Sequence, residues 1–126
     1  KGMQVYCAVK VRHWETPSAY AKRIARRLED ETPELAVATM AKSVRHGKVF
    51  VDWSQNNPAK TTVAPYSLRG RERPTVSTPI TWSEVAECRR PEDLVFTTDS
   101  VIQRLETFGD LWARVRDEPG VLPDEQ

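Results

Sequence analysis

The sequence predicts an α/β fold of the α+β kind, a mixed or antiparallel sheet flanked by helices. Three observations carry the prediction. Short β-branched and aromatic runs occur at residues 3–11 and 48–53. Between and after them lie segments whose apolar residues recur at helical spacing behind capping residues. No stretch repeats elsewhere in the chain, which removes solenoid architectures. At 126 residues the chain suits one domain with a real core and leaves no room for a second. Residues 1–116 are expected to carry that domain, and 117–126, "DEPGVLPDEQ", to form a flexible tail or linker.

The elements follow in order. "MQVYCAVKV" is expected as a strand. "TPSAYAKRIARRLEDETP" is expected as a helix, with Thr16 as cap, Pro17 at the first position, and Ala21, Ile24, Ala25 and Leu28 at i, i+3, i+4 and i+7. Lys22, Arg23, Arg26 and Arg27 lie off that stripe and read as a solvated face. Pro33 is expected to begin a second, shorter helix through Val44, with Leu35, Met40 and Val44 packing inward. A strand over 48–53, a loop "SQNNPAK" and a short strand "TTVAPYS" come next. "ITWSEVAECRR" opens a helix that Thr81 or Ser83 can cap. The closing helix carries Val101, Ile102, Leu105, Phe108, Leu111 and Trp112 as an apolar stripe broken at Gly109.

Charge narrows the partners. Nineteen Lys and Arg against eighteen Asp and Glu give a net +1, so the whole molecule is not a polycation. Its distribution is uneven: residues 1–41 carry +2, residues 42–73 carry +5 and residues 74–126 carry −6. The middle third is where an anionic ligand belongs. Cys7 and Cys88 are two isolated cysteines without metal or redox spacing, and are expected as buried reduced thiols. No apolar run approaches the roughly 18 residues a membrane span needs. With no secretory leader pattern either, a cytoplasmic protein with no membrane partner is expected.

Two segments hold the candidate chemistry. In "KVFVDWSQN" an apolar run delivers Asp52 near the carboxyl end of a strand, where strand alternation puts Phe50, Asp52 and Ser54 on one face. A carboxylate mounted on a rigid strand suits a hard metal cation. Alternatively, Asp52 caps the turn into "SQNNP". In "SLRGRER", an extended backbone would project Ser67, Arg69, Arg71 and Arg73 to one side. Planar guanidinium groups in a row suit phosphate oxygens; the competing reading is a charged edge strand. Gln55, Asn56 and Lys60 add donors in the intervening loop, so that a carboxylate and several phosphate-type donors are expected to converge on one pocket. Lys42 and Arg45, with His46 and Lys48 just beyond, read either as compensation of a helix dipole or as the rim of an anion site. His13 and His46 stand without an acid or cysteine partner. No GxxxxGK[ST] loop and no lysine-x-Asp-Gly motif occurs, which removes the P-loop reading.

"KGMQVY", "KVFVDWSQNNPAKTTVAPYSLRGRERPTVSTPITWSEV" and "FGDLWARV" together resemble the polymerase domain of bacterial DNA ligase D, in the archaeo-eukaryotic primase superfamily. The likeness runs from residue 1 to about 116 and is most specific from Lys48 to Trp82. It implies the carboxyl-terminal part of a primase-polymerase fold and a role in non-homologous end joining. The implied chemistry is two-metal transfer of nucleotides to a primer 3′-hydroxyl. By the resemblance, Asp52 is the third metal-binding aspartate and Lys1 the lysine of a phosphate-contacting Ser-Gly-x-Lys-Gly motif. Gln55 and Arg69 lie near the incoming triphosphate with Arg71 close by, and Arg45 falls in the active-site region. The implied cofactors are Mn²⁺ or Mg²⁺, and the substrate is a nucleoside triphosphate. The implied partners are primer–template DNA with 5′-phosphorylated ends and a ligase, joined or separate, in the bacterial cytoplasm around the nucleoid.

Two departures matter. Gln4 stands where the family commonly has histidine, and the paired aspartates of the Asp-x-Asp motif are absent from this chain. The expectation is a chain that contributes one metal ligand and the phosphate-binding arginines but is not competent alone. The alternatives are a non-catalytic phosphate- or nucleic-acid-binding module that uses Arg69, Arg71 and Lys60 without a metal, and a truncated structural remnant with no ligand. An apolar face left uncovered by the rest of such a fold would favour a homodimer.

Overall fold

The computed structural model describes residues 2–123. The fold is α/β, with helices and two small sheets, one parallel and one antiparallel. The chain divides into two compact units. One is Val63–Pro119 with the segment up to Ala8; the other is Val9–Thr62 with the segment from Gly120.

In the unit spanning Val9–Thr62, α1 (Glu15–Glu31) is the principal helix. Trp14, not Thr16, takes the position before its first turn and supplies no side-chain cap. Ala25 is fully buried, while Ile24 and Leu28 stay 44% and 40% exposed, so the helix packs along its alanine edge. The helix expected from Pro33 does not form. Ala36–Val37 is instead a strand, β1, paired in parallel with β2 (Val49–Phe50) in the register Ala36↔Val49, Val37↔Phe50. Burial decides this: Ala36, Val37 and Ala38 are buried consecutively, as in a strand covered on both faces, whereas Leu35, Met40 and Val44 are exposed. A helix would have buried the second set, and tertiary packing overrides its propensity. Only Lys42–Val44 keeps a helical trace, as one 3₁₀ turn.

The first predicted strand is also absent. Residues 2–8 belong to no element, and Val5 is 78% exposed; only Val9 forms a bridge, with Gly120, and Lys10 N–H donates to the Gly120 carbonyl at 2.8 Å. β propensity without a neighbouring ladder leaves the backbone groups to water. Cys7 is exposed and Cys88 half-buried, both as free thiols, which corrects the expected burial of Cys7.

The other unit begins with a turn where "TTVAPYS" was expected as a strand. Ser67 N–H donates to the Ala64 carbonyl at 3.2 Å across Pro65 and Tyr66. Behind it, β3 (Leu68–Arg69) pairs antiparallel with β4 (Thr75–Val76), Leu68 opposite Val76 and Arg69 opposite Thr75. Then come α2 (Trp82–Glu87), α3 (Thr98–Phe108) and α4 (Ala113–Asp117). Thr81 is the cap of α2. It accepts from Glu84 N–H while the Glu84 carboxylate accepts from the Thr81 N–H, a reciprocal capping box. Gly109 ends α3 at φ 68°, a left-handed value glycine tolerates, and this is the break the apolar stripe foretold. Val76 and Val101 are the buried apolar residues of this unit. Among the described residues no helix is long and apolar enough to cross a membrane.

Candidate functional site

β2 ends after two residues, and Asp52 follows not as a strand residue but as the cap of a 3₁₀ turn, Trp53–Gln55. Its Oδ1 accepts from the Ser54 N–H at 3.1 Å and from the Ser54 hydroxyl at 2.6 Å; its Oδ2 accepts from Gln55 Nε2 at 3.1 Å. Lys60 Nζ donates to Ser54 Oγ, one atom behind the carboxylate. The capping reading of Asp52 is therefore observed. It does not displace the ligand reading, because each carboxylate oxygen carries a further lone pair. Partial burial pushes Asp52 upward, but the hydrogen bonds from Ser54 and Gln55 and the Lys60 charge outweigh it and hold the group below the ordinary aspartate value. The result is an oriented, ionised, exposed carboxylate.

Arg45 lies in the same unit, its guanidinium 3.6 Å from the centre of the Phe50 ring with Nη2 donating to the Met40 carbonyl. Its Nε is buried and makes no hydrogen bond. The side chain is thus fixed by stacking and one carbonyl, with donor capacity to spare. A cleft of about 210 Å³ opens nearby in sequence, lined by Lys22, Arg26, Glu29, Met40 and Trp53 among others. Lys22 Nζ stands 4.7 Å over the Trp53 ring, whose Nε1 donates to the Ala38 carbonyl at 3.2 Å. The basic side of α1 is accordingly more than a solvated face: two of its cations line a depression walled by an indole.

Arg69 and Arg71 belong to the other unit. The hairpin turns Arg69 to a half-buried position while Leu68 beside it is 59% exposed, the reverse of what hydrophobicity alone would give. Residues 70–74 form the hairpin tip, so Arg71 and Arg73 do not continue the Arg69 face, and the expected row of three guanidinium groups along one strand is not formed. Gly70 and Pro74 break the ladder before alternation can extend. Arg69 and Arg71 have no ion pair among the described residues. Lys1 lies outside the described residues.

Sequence reading missed two features here. Arg104 on α3 forms a two-point ion pair with Glu84, with Nη2 to Oε2 at 2.9 Å and a further bond from Nη2 to the Pro79 carbonyl at 3.0 Å, and lies over the rings of Phe96 and Phe108. Its place at i+3 from Val101 and i−4 from Phe108, inside the apolar stripe, was the available signal. Tyr66 is the other: its hydroxyl donates to Asp110 Oδ1 at 2.8 Å, a contact across forty-four positions that no spacing rule announces.

Among the described residues no three or more His, Cys, Asp or Glu groups come together as a metal cage. Asp52 fits one ligand of a hard-cation site, not a complete one.

The model of the LigD primase-polymerase domain matches residues 1–112. The chain belongs to that family. The Mycolicibacterium smegmatis "Multifunctional non-homologous end joining protein LigD" is 56% identical over 96 residues, 76% of this chain and 12% of that protein. The Bacillus subtilis "Bifunctional non-homologous end joining protein LigD" is 33% identical over 125 residues, 94% of this chain and 20% of that protein. Among solved structures, the polymerase domain of Mycobacterium tuberculosis ligase D in complex with DNA is 47% identical, with a TM-score of 0.76 over 84% of this chain and 36% of that one. The chain thus spans a small part of its LigD relatives. At the LigD departure, Gln4 Oε1 accepts from the Tyr6 hydroxyl at 2.7 Å, and the Tyr6 ring meets Trp112 edge-on at 4.8 Å.

Proposed function

We propose that this chain is the nucleotide-binding part of a DNA-repair nucleotidyltransferase, which adds nucleotides to a primer 3′-hydroxyl during end joining. The observation that carries the reading is the Asp52 carboxylate, held ionised and oriented by Ser54 and Gln55 at the exposed end of β2. Membership in the LigD primase-polymerase family supports it, as do the end-joining names of the relatives. The similar Mycobacterium tuberculosis polymerase domain, solved in complex with DNA, supports it further.

In this reading Asp52 is one ligand of a divalent cation, Mn²⁺ or Mg²⁺. Such cations supply, when bound, activation of the attacking hydroxyl and neutralisation of the leaving pyrophosphate. The chain's own work is to bind and orient. Gln55 holds the carboxylate in place. Arg69 and Arg71, which make no ion pair among the described residues, hold the triphosphate oxygens, with Lys1 as a further phosphate contact. Arg45, already stacked on Phe50, has donors left for a phosphate or base. A single aspartate cannot hold a metal pair, so the chain alone binds nucleotide but does not extend a primer; sealing the end falls to a ligase, joined or separate.

The test has two parts. Mn²⁺-dependent binding of a nucleoside triphosphate should be measurable and lost in Asp52→Ala, and a primed template with Mn²⁺ and nucleotides should not be extended. Binding that is indifferent to Asp52, or robust extension, contradicts the proposal.

The cleft between Lys22, Arg26 and Trp53 favours a second contact, with the phosphates of a DNA strand. On single strands each neutralised phosphate contributes about −0.7 to the slope of log K against log salt. Lys22→Ala with Arg26→Ala should make that slope shallower by up to about 1.4, and an unchanged slope removes the contact.

A further inference from the structure

Tyr66 has a backbone that its side chain should resist. At φ 64° it is the one non-glycine residue with positive φ among those described, and a bulky side chain there is strained. It occupies the third position of the turn Ala64–Pro65–Tyr66–Ser67, closed from Ser67 N–H to the Ala64 carbonyl at 3.2 Å. Proline second and positive φ third is the pattern of a type II turn, whose third residue is ordinarily glycine or asparagine. Tyrosine there requires a compensating role.

The compensation is visible at both ends of the residue. Tyr66 N–H donates to the Ser77 carbonyl at 2.6 Å, and Ser77 N–H returns a bond to the Ser67 carbonyl at 2.9 Å, which starts the β3–β4 ladder two residues before Arg69. The Tyr66 hydroxyl donates to Asp110 Oδ1 at 2.8 Å. Asp110 is itself fixed: the Trp112 N–H donates to the same oxygen at 2.9 Å, and Arg116 Nη1 lies 3.7 Å from Oδ2. The Trp112 ring in turn takes the edge contact with Tyr6. "FGDLW" is therefore a rigid corner, and Tyr66 is the strut from that corner to the hairpin. Burial, then the neighbouring carboxylate, hold the phenol above its ordinary value, so it remains a donor through the neutral range.

We infer that the Tyr66–Asp110 link is a positioning device for Arg69, setting the register and direction in which the hairpin presents its guanidinium to a nucleoside triphosphate. The inference rests on the triphosphate reading of Arg69 above. It explains why glycine is not used in the turn: glycine would relax the backbone but release the hairpin from the corner.

The experiment measures Mn²⁺-dependent affinity for a fluorescent nucleoside triphosphate, with Tm recorded alongside. Tyr66→Phe and Asp110→Asn should each weaken binding about tenfold or more, since a small misplacement of a binding group is costly, and together they should weaken it no further than either alone. Tyr66→Gly should keep or raise Tm and still lose the affinity, which a merely structural role would not produce. In the Arg69→Ala background, Tyr66→Phe should have no further effect. If Arg69→Ala weakens binding while Tyr66→Phe and Tyr66→Gly bind as the unaltered chain does, the positioning role is wrong and the triphosphate reading stands. If the unaltered chain binds no nucleotide, both fall.

Discussion

Gln55 Nε2 donates to Asp52 Oδ2 at 3.1 Å, so two residues three apart share one carboxylate, the amide fixing the oxygen that the Ser54 donors leave free. The link exists because the chain leaves β2 through a 3₁₀ turn, which brings the side chain at position 55 back over position 52. Gln55 thus acts on the site through Asp52.

Removing that donor should be visible in the carboxylate. Gln55→Ala takes away one of the hydrogen bonds that offset burial, and the Asp52 pKa should rise toward the ordinary aspartate value. Asp52 stays ionised at neutral pH, so the loss is one of orientation. Mn²⁺-dependent nucleotide binding should weaken by roughly tenfold, the usual scale for a group that holds a metal ligand. Carboxyl chemical shifts titrated against pH check the first statement and nucleotide affinity the second.

The Glu84–Arg104 pair makes a prediction about pH. The Arg104 hydrogen bonds, stronger than the opposing effect of burial, hold Glu84 below its ordinary value near 4.5. A carboxyl depressed on folding contributes stability that is present in full above its unfolded pKa and lost as pH falls through the folded one. Glu84→Gln should therefore lower stability at neutral pH by about 1–3 kcal/mol, and the gap to the unaltered chain should begin to narrow as pH falls below about 4.5 and close only once pH has passed below the depressed folded value. Chemical denaturation of both proteins at pH 7 and at acid pH measures the gap; a pH-independent difference would show that the charge is not responsible.

Exposed apolar residues give a third prediction. Leu35 is 60% exposed, Val49 68%, Trp82 74% and Ile102 58%, and together with Val5 and Val121 they leave both units with uncovered apolar surface. Self-association is the expected outcome, seen as a sedimentation coefficient that rises with concentration. A single monomeric species over a wide concentration range would oppose it.

How much was readable from residues alone depended on whether the signal was local. The α1 and α3 helices, the Thr81 cap and the stop at Gly109 follow from spacing and capping chemistry within a turn or two, and each is present. The segment after Pro33 misled because its alanines suit helix, while the parallel partner β2 that claims them lies thirteen positions away. The arginine row misled for the opposite reason: alternation was extended through Gly70 and Pro74, where the hairpin turns. Of the site, the Asp52–Gln55–Lys60 group was legible as a cluster of types. Its 3₁₀ geometry, the Arg45–Phe50 stack and the Tyr66–Asp110 strut were not, since each is set by packing rather than by spacing.

The central claim is that the Asp52 carboxylate, oriented by Gln55, serves a bound metal–nucleotide, and a double-mutant cycle on Mn²⁺-dependent nucleotide affinity tests it most directly. Asp52→Ala should abolish most of the binding, Gln55→Ala should weaken it by about tenfold, and the double variant should lose little more than Asp52→Ala alone. Losses that simply add, or a variant at either position that binds as tightly as the unaltered chain, would contradict it.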